Sequence, residues 1–356
     1  MNRDEFKTIM QKTIEQCYPE YTWTGLFKYI ENKGCIRYDG RKSLKQNQID
    51  ISNLQTNKDK LDYLFNHLHN IVLMCEGFEY EKAYRYSSIF KYNSINLENI
   101  ESMFKCQLAR KFDENEASND ELYECFKKPT IKIDGNKIYI KFSLKKINKI
   151  DENIAIKYSV LTIIDKEYRT IEIRQDILPI QYQTIEKFYA HNIIEVKEWL
   201  RYHLKVTIEE LDLQAITRFM KSKKTDDVKV TAMRIRRAGM LADLDAASNA
   251  DLTLPIIDEL RTIIKKNAIF TNNTTGRDIK KILETFMMDI EEKSDLPSAK
   301  ILWIEKKIQI HMYHGEVEGE VPLLRWLGEL KDKECMDYVT HYIINSEKEL
   351  RAELED

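Results

Sequence analysis

Hydrophobic positions along the chain follow two periods, and the places where the period changes divide it. Up to residue 112 apolar residues recur at three- and four-residue spacing, as amphipathic helices require. Phe6, Ile9, Ile14 and Cys17 form one such set, halted by Pro19. A second runs over 23–32 and ends at Gly34, a residue that tolerates positive φ just past a helix. Leu61, Leu64, Phe65, Leu68, Ile71 and Val72 make one long stripe, and Leu97, Ile100, Phe104 and Leu108 another, behind the N-cap candidate Asn96.

From residue 130 the period is two. Ile131 and Ile133 face Ile138, Ile140, Phe142 and Leu144 across Asp134-Gly135-Asn136, a turn sequence suited to a tight hairpin. Residues 154–164 and 168–174 predict a second hairpin. Alternation puts the apolar residues of these four strands on one face, and Lys132, Tyr139, Lys141, Ser143 and Lys145 on the other. Helical spacing resumes over 184–204 and 207–220, the latter opened by the capping-box pattern Thr207-x-x-Glu210. Residues 228–236 and 240–245 read as paired strands, 255–266 and 276–292 as helices, 301–304 and 308–313 as short strands, and 322–356 as a helical end.

The expected fold is α+β: an N-terminal helical domain over 1–112, an acidic linker over 113–128, a central antiparallel four-stranded sheet over 129–180, and a mixed α/β C-terminal domain over 181–356 with short β-hairpins and an acidic helical end. The length of 356 residues suits more than one domain. Hydrophobic content of 43% with 32% charged residues belongs to a soluble globular protein. Six cysteines without a C-x-x-C motif predict reduced thiols and an intracellular compartment. The polar start, and the lack of any apolar run near the ~18 residues of a membrane span, predict a cytoplasmic protein with no membrane partner.

Charge changes the picture. The net charge of -3 conceals a basic middle, where residues 125–281 hold 30 Lys and Arg against 21 Asp and Glu. Two stretches concentrate the excess, 127–149 at +7 and 218–237 at +6. Like charges so placed repel one another, and a polyanion is the partner that relieves this. Lysines around Tyr139 suit a phosphate backbone with a base on the ring, and arginine adds bidentate phosphate contacts. The sequence therefore predicts a non-catalytic nucleic-acid-binding protein, for DNA or RNA, contacting phosphates through Lys132, Tyr139, Lys141, Lys145, Arg218, Lys221, Lys223, Lys224, Arg234, Arg236 and Arg237.

Two alternatives carry specific residues. Glu305-Lys306-Lys307 has the E-x-K form of Mg²⁺-dependent nucleases of the restriction-endonuclease-like class, which would pair Glu305 with an aspartate such as Asp289 or Asp295 on the metal while Lys307 orients the attacking water. The acidic arm 316–356, at -7, suits a protein-interaction subunit. His311 and His314 lie close in sequence, but a strand would send them to opposite faces, so no metal site is expected. No cofactor motif is present.

Overall fold

The computed structural model describes residues 2–113, 121–246, 255–315, 321–330 and 332–355. Contacts divide the chain into two units, one of residues 1–211 with 328–344 and one of 212–327 with 345–356.

The first unit opens with four helices, α1 (Arg3–Cys17), α2 (Glu20–Asn32), α3 (Asn57–His67) and α4 (Ile71–Phe78), with a minimal parallel pair β1 (Ile36–Arg37) and β2 (Ile49–Asp50) between α2 and α3. Caps fix their starts. Asn2 accepts from the Glu5 amide, and Thr56 and Asp59 form a reciprocal capping box. The stripe read as one helix over 61–72 is therefore two, because Leu68 leaves helical geometry and the chain restarts at Ile71.

The remaining elements are β3 (Tyr86–Ser94), α5 (Asn99–Lys105), β4 (Arg110–Lys111), β5 (Thr130–Asp134), β6 (Lys137–Ile147), β7 (Ala155–Asp165), β8 (Thr170–Gln175), α6 (Phe188–Leu204) and β9 (Thr207–Glu210). Strand order is β9-β3-β8-β7-β6-β5-β4, antiparallel except for the β4–β5 pair. The β5–β6 hairpin forms with Asp134 opposite Lys137 and Gly135 at φ 55°.

The second unit comprises α7 (Leu213–Lys223), β10 (Val228–Arg237), β11 (Met240–Asp245), α8 (Pro255–Lys266), α9 (Ile269–Asn272), α10 (Thr274–Lys293), β12 (Asp295–Trp303), β13 (Ile308–Tyr313) and β14 (Leu323–Trp326). Its antiparallel strands follow the order β11-β10-β12-β13-β14. One face buries Val230, Ile301, Trp303, Ile310, Met312 and Leu324. Ile257, Ile264 and Met287 of the helices pack with Ile235 and Leu244 of the β10–β11 ribbon. The last helix, α11 (Lys333–Glu355), begins in the first unit and ends in the second.

The expected fold needs correction. The class is α+β, but there is no four-stranded sheet standing between helical domains. Among the described residues the strands form a much larger mixed sheet system, seven in the first unit and five in the second. The N-terminal region is not a helical domain, since it supplies β3 from inside the expected 1–112 segment, and β3 pairs with both β8 and β9. Nor is 322–356 wholly helical, because Leu323–Trp326 pairs with β13.

The reason is burial on both faces. Along β3 the first five residues are all buried, Ser87 and Ser88 included, so no period-two signal exists to read. The Thr207-x-x-Glu210 pattern likewise belongs to strand β9, and α7 is capped by Asp212, which accepts from the Ala215 amide.

Candidate nucleic-acid interface

The two basic segments fall in different units and have different surroundings. In the first unit, the apolar face of the sheet is covered by α6, with Phe142 edge-on to Trp199 at 5.1 Å and Tyr158 edge-on to Phe188 at 5.3 Å. The lysine face was expected to be open. Instead α1, α4 and the start of α11 lie against it, and Lys141 and Lys157 are paired inside the protein.

Lys141 is fully buried, donating to the Glu79 carboxylate at 2.8 Å and to the Glu76 carbonyl at 3.1 Å. Lys157, on the neighbouring strand, donates to Glu79 at 2.7 Å and Glu76 at 2.9 Å, and the Ser159 hydroxyl donates to Glu79 at 2.9 Å. Burial alone would raise the Glu79 pKa, but the two ammonium groups overcome it and hold the carboxyl at about 2.

Tyr139 is buried and Lys132 is paired with Glu81 at 3.3 Å. Further along the same face Arg174 is clamped between Glu172 and Asp337, at 2.7 and 2.5 Å. Of the predicted residues in this segment, Lys132 and Lys145 keep partial exposure, and Lys132 is the one paired with Glu81. An ammonium enclosed among carboxylates cannot reach an external phosphate, so Lys141 belongs to the architecture of the unit.

In the second segment none of the predicted residues is fully buried. At the end of α7, Lys223 pairs with Glu353 at 3.1 Å and Lys224 with Glu349 at 2.5 Å, both carboxylates from the acidic tail. Arg218 donates to the Ser294 carbonyl, Arg237 donates to the Asp289 carbonyl at 2.6 Å, and Lys221 is half-buried. Arg234 and Arg236 differ. Alternation places them on the sheet face opposite the apolar one.

Register fills in that face with residues distant in sequence. Arg234 lies opposite Ser298, which lies opposite Tyr313; Ala232 lies opposite Lys300, then His311, then Arg325. The face therefore carries Lys229, Arg234, Arg236, Lys300 and Arg325 around two rings. Those rings, His311 and Tyr313, stack at 4.2 Å between centroids and 30° between planes.

His311 hydrogen-bonds the Ser298 hydroxyl at 3.1 Å. Burial, then the nearby Lys300, Arg325 and Arg234, push its pKa down to about 4, so the ring is neutral at pH 7. Two carboxylates from β11 answer the cations: Asp243 accepts twice from Arg234, at 2.7 and 2.9 Å, and Asp245 accepts from Lys300 at 2.9 Å. Asp243 and Asp245 are about two-thirds exposed, and exposed pairs of this kind contribute ~0–1 kcal/mol. Small Ala232 and Ser298 lie at the floor of a cleft of about 320 Å³ walled by Arg234, Lys300, His311 and Tyr313.

Glu305, Lys306 and Lys307 form the exposed turn between β12 and β13, with Lys307 at φ 51°. Among the described residues no group of three or more His, Cys, Asp or Glu is placed to hold a metal ion. His314 is buried in the second unit, its ring within hydrogen-bond reach of the Thr217 hydroxyl at 3.2 Å and of the Leu296 carbonyl, so it does not join His311 at a shared site. Every cysteine is a free thiol; Cys17 and Cys75 are buried, whereas Cys106 and Cys125 are exposed. No described helix is long and apolar enough to cross a membrane.

The sequence singled out Arg234 and Arg236 of this face; Lys300, His311, Tyr313 and Arg325 join them only through strand register. The available signal was the alternation of Ile308, Ile310 and Met312 with Gln309, His311 and Tyr313. No protein-family model, curated protein or solved structure matches the chain.

Proposed function

We propose that this protein binds nucleic acid through the open face of the β11-β10-β12-β13-β14 sheet, without catalysis. The observation that carries the reading is the convergence of Arg234, Lys300 and Arg325 on the stacked His311 and Tyr313 rings. Cations on adjacent strands, spaced by the sheet, follow a phosphate backbone, and the aromatic pair gives a base a surface to rest on. The segment 127–149 lies in the first unit and takes no part in this reading.

Replacing Arg234, Lys300 and Arg325 together with Gln tests it. In anisotropy titrations of the full chain with a labelled oligonucleotide, the slope of log affinity against log salt should become shallower by about 2, from ~0.7 released counterions per phosphate contact. Removing Arg277, Lys280 and Lys281 from α10 changes net charge equally and should leave the slope unchanged. If both triple variants behave alike, the face is not the binding surface.

A further inference from the structure

Resting on that reading, we infer that the ligand of this face is a single strand with an unpaired base stacked on the Tyr313–His311 pair, not an intact duplex. The two rings are neighbours at alternate positions of β13, both half-buried, and His311 is held in place by its hydrogen bond to Ser298. Cations stand on both sides of the pair, Lys300 and Arg234 towards β11 and Arg325 on β14. The small residues Ala232 and Ser298 leave a depression beside the rings, where a planar group can lie against a ring while its phosphates reach the cations.

A duplex keeps its base faces inside its own stack and offers a protein only phosphates and groove edges. It would gain nothing from the rings. An unpaired base has an exposed π face, and stacking on one aromatic side chain changes affinity about tenfold or more. The neutral state of His311 suits it to stacking and leaves phosphate contact to the flanking cations.

The test compares one sequence as single strand and as duplex, at one salt concentration, with the full-length protein. The single strand should bind more tightly. Tyr313→Ala should weaken single-strand binding about tenfold with little change for duplex, while Tyr313→Phe, which keeps the ring, should bind as wild type does. A strand carrying 2-aminopurine should lose fluorescence on binding wild-type protein, a readout independent of how well Tyr313→Ala folds. Equal or tighter duplex binding, unchanged binding by Tyr313→Ala, or a bound but unquenched probe would overturn the single-strand inference and leave the phosphate-binding face standing. Absence of salt-sensitive binding to either form would remove the face itself.

Discussion

Glu79→Ala is expected to destabilise the first unit by about 3–5 kcal/mol, the range seen when one partner of a buried ion pair is removed. Glu79 is the acceptor for both Lys141 and Lys157. Without it, two ammonium groups with no access to water share what remains of the Glu76 contacts. Neutralising them or opening the helix–sheet interface is the only relief. Replacing all three residues by apolar ones of similar size (Glu79→Leu, Lys141→Met, Lys157→Met) should recover most of the loss, since desolvation offsets much of what a buried pair gains. Denaturant unfolding monitored by hydrogen exchange in β6 and β7 separates the first unit from the second. A loss below about 1 kcal/mol for Glu79→Ala, the value of an exposed pair, would contradict the buried ionic layer.

This cluster also explains what the sequence showed and what it hid. The hairpin at 131–144 was legible because Asp134-Gly135-Asn136 and a run of alternating isoleucines specify it locally. The function of its polar face was not legible. Alternation says that Lys141 and Phe142 point to opposite faces, but not which face meets water. That is decided by Glu76 and Glu79, some sixty residues earlier, within and just past a helix otherwise made of Ile71, Val72, Leu73, Met74, Cys75, Gly77 and Phe78. Two acids three residues apart in so apolar a stretch were the available sign that cations would be buried against it.

The open sheet face of the second unit was half legible for the opposite reason. Arg234 and Arg236 are close in sequence and read as a basic strand, whereas Lys300, His311 and Arg325 reach them through strand pairing across 60 to 90 residues. The acidic arm 316–356 reads as suited to a protein-interaction subunit; within the second unit two of its carboxylates, Glu353 and Glu349, pair with Lys223 and Lys224.

The second large effect is acid sensitivity of the second unit. His314 is buried, and burial is the main reason its pKa falls from 6.5 to about 4, against a partial upward pull from the Leu296 carbonyl. The folded protein therefore holds this ring neutral while the unfolded chain takes up a proton at its ordinary pKa. The stabilising contribution is complete above pH 6.5 and is lost progressively as pH falls towards 4. A depression of this size corresponds to on the order of 3 kcal/mol. His311 shifts in the same direction, but its greater exposure gives it a smaller share. Amide protection in β12 and β13, corrected for intrinsic exchange, should decline between pH 7 and pH 4.5, and His314→Gln should flatten that decline. Protection that stays constant over this range would mean that the ring is not enclosed as described.

Photo-crosslinking reads the location of the proposed nucleic-acid contact directly. A thiouridine-containing single strand, irradiated with the full-length protein and mapped by mass spectrometry, should attach within β10, β12, β13 and β14, with Tyr313 or His311 among the modified residues. Adducts confined to the first unit, or no adduct under conditions where the strand is bound, would contradict it.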